Sequence, residues 1–441
     1  MKYRFFNIFA FSPQIEWLQK DEPFCFQSDT NKLTEWLWSS MPAYSAMPAE
    51  YKPQTMVPED LQEELRVLEQ QQGEALNNIW VSLMVETENP LREKIALFWH
   101  HQIPSGRGRS VDQGRILLEI FRQYGLGNLK ELLNQVISTP ATMHFLNLHL
   151  SSKEDPNENF PRELMELYLL GEGNYTLKDV KEVSRAFTGR RFDKKNWPYP
   201  YFFAADQHDA GIKTILGETG RFTGEDVIDI ILKKPQTARH IAGSFLRFFF
   251  SDNPPKTMIE DCADKYFRSG YEMKELVNAM IAHEEFNNPQ YHLSKVKTPV
   301  ELLTGFQRQT GLRTVGMKTP YTFLRMTGQS LFNPPTVAGW PGGDYWFEGE
   351  RLLHRLFLPS TLLSFANRNV PKSSLSFKVM SRIKEPTRMQ YRYIADARWN
   401  QPHFEDALKA HQLSVSEWIL GNDKYAGELS AILQKPEYQY I

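Results

Sequence analysis

Cysteine is scarce: Cys25 and Cys262 are the only two in 441 residues. Two thiols cannot build a disulfide framework and show no metal-type pairing, and their rarity fits a reducing compartment. An excess of charge is missing as well. The 51 Lys and Arg are matched by 53 Asp and Glu, a formal charge of −2. That balance exerts no overall pull toward nucleic acid or an anionic membrane, so nucleic acid is not an expected partner. No stretch approaches the roughly 20 apolar residues of a membrane span, and no transmembrane segment is expected. At the start of the chain Lys2 and Arg4 precede the apolar Phe5–Phe11, but Asn7 interrupts the run and no small-residue cleavage site follows. This is not the pattern of a signal peptide, and the expected location is cytoplasmic. No nucleophile elbow, zincin pattern or dinucleotide-binding glycine motif occurs.

Apolar and aromatic residues are plentiful. They make up 41% and 13% of the chain, with 29 Phe, 18 Tyr and 10 Trp, which favours an interior of bulky rings. The length exceeds that of an ordinary single domain. Apolar residues recur at helical spacing through Asp60–Gln71, Glu74–Glu86, Leu91–His101, Val111–Tyr124 and Asn128–Ser138, and again beyond residue 223. Residues 190–220 are the least helical part. There Trp197–Phe203 reads as a loop or short strand that pairs with the stretch His208–Gly220. The expected fold is mostly α, a multi-helical globular body with a small irregular or β-hairpin insertion around residues 190–220. Three regions are expected: an N-terminal extension over 1–57, a main helical body over 58–370 and a C-terminal helical tail over 371–441. A Ser/Lys/Arg-rich connector at 371–386 marks the last boundary, and tail helices are expected near His403–His411, Ser414–Leu420 and Tyr425–Leu433.

The densest polar stretch is Asp155–Gly189. Pro161 suits a first helical turn, so Arg162–Leu170 is expected to be a helix that stops at Gly171 and Gly173. Thr176 with Asp179 then forms a capping-box start for Leu177–Phe187, ended by Gly189. On the first helix Glu163 and Glu166 are three apart and share a face, while Arg162 and Glu166 are four apart and can pair. Two close carboxylates raise one another's proton affinity, which suits a general acid and a general base. Glu163, Glu166 and Arg162 are therefore candidate catalytic residues, with His208 as a second proton carrier. Asn157, Glu158 and Asn159 before the helix, with its partial positive charge, are candidate substrate-binding residues. Trp340 joins them as a ring able to stack on a sugar. A divalent metal is the one cofactor these residues suggest, with His100 and Asp209 as ligand candidates. The same residues also suit a structural Arg–Glu network with Arg185 as counter-ion. A third use is anion binding at the basic loop Ile103–Ser110, through Arg107 and Arg109. That loop lacks the Gly-Lys-Ser/Thr ending of a phosphate loop and reads better as solvated. The leading expectation is a hydrolase-like enzyme, acid/base or metal-assisted, acting on a saccharide polymer. The alternative is a non-catalytic helical scaffold that binds a partner protein.

Six ordered stretches resemble a bacterial family catalogued as domain of unknown function 1800, from about residue 60 to the C-terminus. They are LREKIALFWHHQIPSG, NENFPRELMELYLLGEGNYTLKDVKEVSRAFTG, HDAGIKTILG, TARHIAGSFLRFF, KVKTPVELLTG and FNPPTVAGWPGGDYW. The resemblance implies a largely helical bacterial protein. Many members carry export signals and many are encoded beside a sulfatase-like protein, which implies an envelope or polysaccharide setting with that protein as partner. No export signal is expected from the pattern of residues 1–11, a departure from those members. The chain departs again at Gln102, where members often have a second histidine two residues after the one matching His100. The signature maps onto Asn157, Glu158, Asn159, Arg162, Glu163, Glu166, His208 and Asp209, and implies that these residues meet in space.

Overall fold

A computed structural model describes residues 8–9, 11, 30–39, 41, 62–87, 89–106, 111–193, 199–310, 319–369 and 436–440. The connector at 371–386, the three tail helices, Arg107, Arg109 and Trp197 lie outside the described residues, as does most of 1–57. The helices in chain order are α1 (Thr30–Ser39), α2 (Gln62–Glu86), α3 (Leu91–Gln102), α4 (Val111–Tyr124), α5 (Leu129–Val136), α6 (Pro140–Phe145) and α7 (Asn159–Glu163). A π-helical turn over Leu164–Leu169 continues α7. Then come α8 (Leu177–Ala186), α9 (Gly224–Leu232), α10 (Pro235–Phe249), α11 (Lys256–Arg268), α12 (Met273–Ala282), α13 (Pro299–Thr310), α14 (Thr319–Met326) and α15 (Glu350–Asn369). The fold is mostly α, as expected, with two small antiparallel two-stranded sheets inserted between α8 and α9.

The pairing of those strands differs from the expectation. Strand β2 (Tyr201–Phe203) pairs with β1 (Arg190–Phe192), not with the stretch after His208. That stretch closes on itself: β3 (Lys213–Ile215) pairs with β4 (Glu218–Gly220). The physical reason lies in the turn. Leu216 and Gly217 sit at φ of 49° and 89°, the left-handed pair that a two-residue hairpin needs, and glycine supplies the second at no steric cost.

Helix α3 is the centre of the body. Ten of its twelve residues are buried, including Phe98, Trp99 and His100. A helix buried all round must satisfy its polar residues internally. Glu93 receives Arg122 Nη2 at 3.0 Å and the Trp80 indole at 3.0 Å. Lys94 pairs with Glu301 at 3.0 Å, His100 accepts the Phe332 N–H at 3.0 Å, and Gln102 donates to the Leu167 and Tyr168 carbonyls. Each buried polar side chain of α3 thus ties it to a different neighbour. Around it Phe98 meets Phe245, Phe248 and Phe249 of α10 with centroids 5.5–6.1 Å apart. Ile8, Phe9, Phe11 and Leu37 near the N-terminus and Tyr438 near the C-terminus belong to this same core.

Candidate functional site

The polar signature starts from a loop. Asn157 accepts the Asn159 N–H on its side-chain oxygen at 2.9 Å, a local Asx turn, and its own N–H donates to Ser151 Oγ at 3.0 Å. This turn launches α7, and Pro161 sits in its first turn where a missing N–H costs nothing. The Ser151 carbonyl accepts the Gly189 N–H at 3.2 Å and Arg191 Nη1 at 2.8 Å, while the Lys153 N–H reaches the Gln207 carbonyl at 2.8 Å. The launching loop is therefore sewn to β1 and to the loop after β2. Gly189, at φ 83°, is required there because a Cβ would come within 2.8 Å of the Ala204 carbonyl and 3.1 Å of His208.

The ordinary α-helix expected over Arg162–Leu170 is instead α7 followed by the π-turn. The Leu170 N–H bonds to the Met165 carbonyl, five residues back, at 2.9 Å. This wider winding changes which side chains meet. Arg162 pairs with Glu158 at 3.2 Å rather than with Glu166, and Glu166 accepts the Tyr175 hydroxyl in a short hydrogen bond. Glu163 and Glu166 are both half-buried. Burial and the neighbouring Glu166 charge raise the Glu163 carboxyl above the usual carboxylate range, against the pull of Arg162. Burial and the Glu166 carboxylate push the Tyr175 phenol up as well. The π-turn leaves the Leu167 and Tyr168 carbonyls without helical partners, and two side chains collect them. Gln102 Nε2 donates to both, at 3.1 and 3.0 Å, and His240 Nε2 donates to Leu167 O at 2.7 Å. π-turns are rare and concentrate at functional sites, so a turn supported this fully is informative. Beyond it a cleft of about 400 Å³ opens, lined by Leu170, Asn174, Lys234, Gln236 and Arg239.

The other candidates are placed as follows. His208 Nδ1 lies 3.0 Å from the Thr188 carbonyl, which makes it the protonated nitrogen and leaves Nε2 as the basic one. Its orienting partner is that carbonyl and not Asp209. Asp209 is instead gripped by Arg185 through both oxygens, at 2.7 and 3.2 Å, and Arg185 also pairs with Glu182 at 2.9 Å. Arg185 holds the Asp209 carboxyl below its ordinary range. Arg185 is thus a counter-ion of this loop rather than of the Glu163–Glu166 pair. Metal binding at Asp209 would have to displace Arg185. The ligand position expected of His100 is likewise taken: its Nε2 lone pair holds Phe332, and its ring is boxed by Trp80, Phe332 and Trp340. Burial drives the His100 imidazole down to about 3 and keeps it neutral. Among the described residues no group of three or more His, Cys, Asp or Glu is set to hold a metal ion. Trp340, only 2% exposed, edges onto His100 and stacks near His101, so it is a core ring and offers no face to a sugar. Exposed rings near this loop are Phe202 and Phe203 on β2, at 50% and 45%, with Phe203 5.1 Å from the His208 ring.

Tyr175, Gln102 and His240 had no signal in sequence that tied them to the carboxylates. A second polar group also went unread. In Lys295-Val296-Lys297 both lysines are buried, together with Lys94, Glu301 and Arg355. The sign available in sequence was the pair of lysines flanking one valine just ahead of the apolar start of α13.

Fold and site together define a mostly helical protein whose polar residues gather on a π-turn and on the loops sewn to it. The chain belongs to the family described as Protein of unknown function (DUF1800), whose family model matches residues 12–440 and so takes in most of the N-terminal region as well. No curated protein and no solved structure matches it. No described helix is long and apolar enough to cross a membrane.

Proposed function

We propose that Glu163, Glu166 and Tyr175 form an acid–base centre of a hydrolase acting on an extended saccharide polymer. The observation that carries this is the placing of Glu163 at the head of the π-turn and of the Tyr175-bonded Glu166 on it, where burial and the Glu166 charge act to raise the Glu163 carboxyl. Two carboxylates in different surroundings hold their protons differently, and that division separates an acid from a base. Glu163, retaining its proton to higher pH, donates it to the leaving oxygen. Glu166, fixed by the Tyr175 hydroxyl, accepts a proton from water. Arg162 holds Glu158 at the start of the helix, and His208 Nε2 is a second proton acceptor on the neighbouring loop. A polymer is the substrate class because surface features flank the helix at both ends. Phe202 and Phe203 are exposed on the hairpin sewn to its launching loop, and the cleft with Lys234, Gln236 and Arg239 opens past its exit. The family resemblance, with many members encoded beside a sulfatase-like protein, supports a saccharide and keeps that protein as the partner to test.

The test is release of reducing ends from a panel of purified polysaccharides. Glu163→Gln and Glu166→Gln are each expected to lower the rate by about 100-fold or more, the scale of general acid–base catalysis, with the melting temperature nearly unchanged. The rate falls as pH rises through the elevated Glu163 value, because the acid must carry its proton. A scaffold would behave differently: Glu166→Gln would lower the melting temperature by freeing Tyr175, and no polymer would be cleaved.

A further inference from the structure

Away from the π-turn, four cations surround one carboxylate in the core. Lys94 and Lys295 pair with Glu301 at 3.0 and 2.6 Å. Lys297 donates to the Tyr438 carbonyl at 2.8 Å and lies 4.2 Å over the Tyr438 ring. Arg355 donates to Gln439 Oε1 at 3.1 Å and to the Lys297 carbonyl at 2.8 Å. None of the four cations is more than 4% exposed, and Glu301 is fully buried. At the rim Asp252 accepts the Val296 N–H at 2.9 Å, and burial raises its carboxyl toward the neutral form. Buried charge is normally matched by opposite charge, and among the described residues Glu301 is the one carboxylate ion-paired with any of these four cations.

Unmatched hydrogen-bonding groups lie here as well, and beyond Glu301 Oε1, which has Lys94 Nζ 3.0 Å away as an ion-pair partner, those of this neighbourhood are donors. Arg355 Nη1, Gln439 Nε2, Trp340 Nε1 and Trp346 Nε1 are buried N–H groups with no hydrogen-bond partner among the described residues. They share a neighbourhood. Val296 packs with Trp340 and Trp346 and pairs with Tyr440, the Lys297 N–H reaches the Gln439 carbonyl at 2.8 Å, and Arg355 stacks on Phe347 at 5.3 Å. Each orphaned buried donor carries the cost of lost hydration unless something accepts from it.

We propose that this cluster is a binding site for a small tetrahedral oxyanion, inorganic phosphate or sulfate or the same group on a ligand. Such an anion supplies the missing negative charge and several acceptor oxygens at once, which a halide does not. Burial lowers Lys297 to about 7 and Lys94 to about 8, and a bound anion reverses that penalty. The proposal goes beyond the acid–base centre and shares no residue with it, so either can fail alone.

The experiment uses the full chain purified in phosphate- and sulfate-free buffer. The protein is denatured and the released anions are measured by ion chromatography. Thermal shifts with phosphate, with sulfate and with chloride are then compared at equal ionic strength. Expected is either close to one phosphate or sulfate released per chain, or a rise in melting temperature with one of them at submillimolar concentration and none with chloride. Trp346→Phe, which removes only the indole N–H, and Lys297→Met are each expected to weaken binding at least tenfold. Should Lys297→Met fail to fold, Trp346→Phe carries the test. Phosphate supported over sulfate, or the reverse, identifies the anion. The proposal is overturned by no released oxyanion together with equal shifts in all three salts, by an adventitious ion only that needs tens of millimolar, or by undiminished binding in Trp346→Phe.

Discussion

Gln102 sits inside a buried helix, where a polar amide has to earn its place by hydrogen bonding. It does so by closing the two carbonyls that the π-turn leaves open, with His240 assisting at one of them. Gln102→Leu removes both donations and strands the Tyr168 carbonyl, so a loss of about 1–3 kcal/mol is expected. Gln102→His keeps an N–H donor and should lose less. Denaturant midpoints of the two variants check this, and equal midpoints for Gln102→Leu and the wild type would mean that the π-turn does not depend on this support. At the same scale, sequence reading placed carboxylates at 163 and 166 on one helix but gave Glu166 the wrong partner. An i,i+4 pairing assumes α-helical winding, and the π-turn substitutes Tyr175 for Arg162.

At the scale of elements, two helices open with the same capping box and differ in one contact. In α8 Asp179 Oδ2 takes the Thr176 N–H at 2.9 Å, and in α9 Asp226 Oδ2 takes the Thr223 N–H at 2.8 Å. Asp179 has a second duty, because its other oxygen accepts the Leu216 N–H at 2.7 Å and clamps the β3–β4 turn to α8. Asp179→Ala should therefore destabilise the protein by about 1 kcal/mol more than Asp226→Ala, the worth of one added hydrogen bond. Hydrogen exchange at the Leu216 amide should rise only in the former. Both boxes were legible in the sequence, because Thr-x-x-Asp is a local signal. The pairing of β1 with β2 was not, since it joins segments whose register is set by Gly189, whose N–H donates to the Ser151 carbonyl and whose carbonyl accepts the Ala204 N–H.

For the whole molecule, buried charge sets the response to pH. His100 and His101 are driven down to about 3 and 4 by burial, and His101 also by Lys295 and Arg247. The unfolded chain takes up these protons near 6.5 and the folded chain does not, so stability falls as pH drops below about 6.5. For His100 alone the shift corresponds to roughly 5 kcal/mol. Glu301, fully buried, is carried below its ordinary range by Lys295 and Lys94, ending at about 2. Its contribution is present above about 4.5 and is lost as pH falls toward 2, in the same direction. Lys297 and Lys94 act on the alkaline side. With folded values of about 7 and 8 against an ordinary 10.5, they disfavour the charged core at neutral pH, and stability rises as pH climbs through that interval. The melting temperature in oxyanion-free buffer should thus increase from pH 4 to about 9. A plateau between pH 4 and 6.5 would contradict neutral buried histidines. Saturating oxyanion should flatten the alkaline part of the curve.

What the sequence determined by itself was local or statistical. Helical periodicity made the fold mostly α, threonine–aspartate spacing started α8 and α9, glycines ended helices, and ordered blocks pointed to the family to which the chain belongs. Tertiary structure decided which polar groups meet. It turned His100 and Trp340 into core rings, gave Asp209 to Arg185, set Tyr175 on Glu166 and gathered Lys94, Lys295, Lys297 and Arg355 around Glu301. The physical reason is range. Backbone propensity and capping act over three or four residues and are written in neighbouring letters. Burial and the pairing of charges depend on segments as far apart as Lys94 and Glu301, brought together only when the apolar core closes.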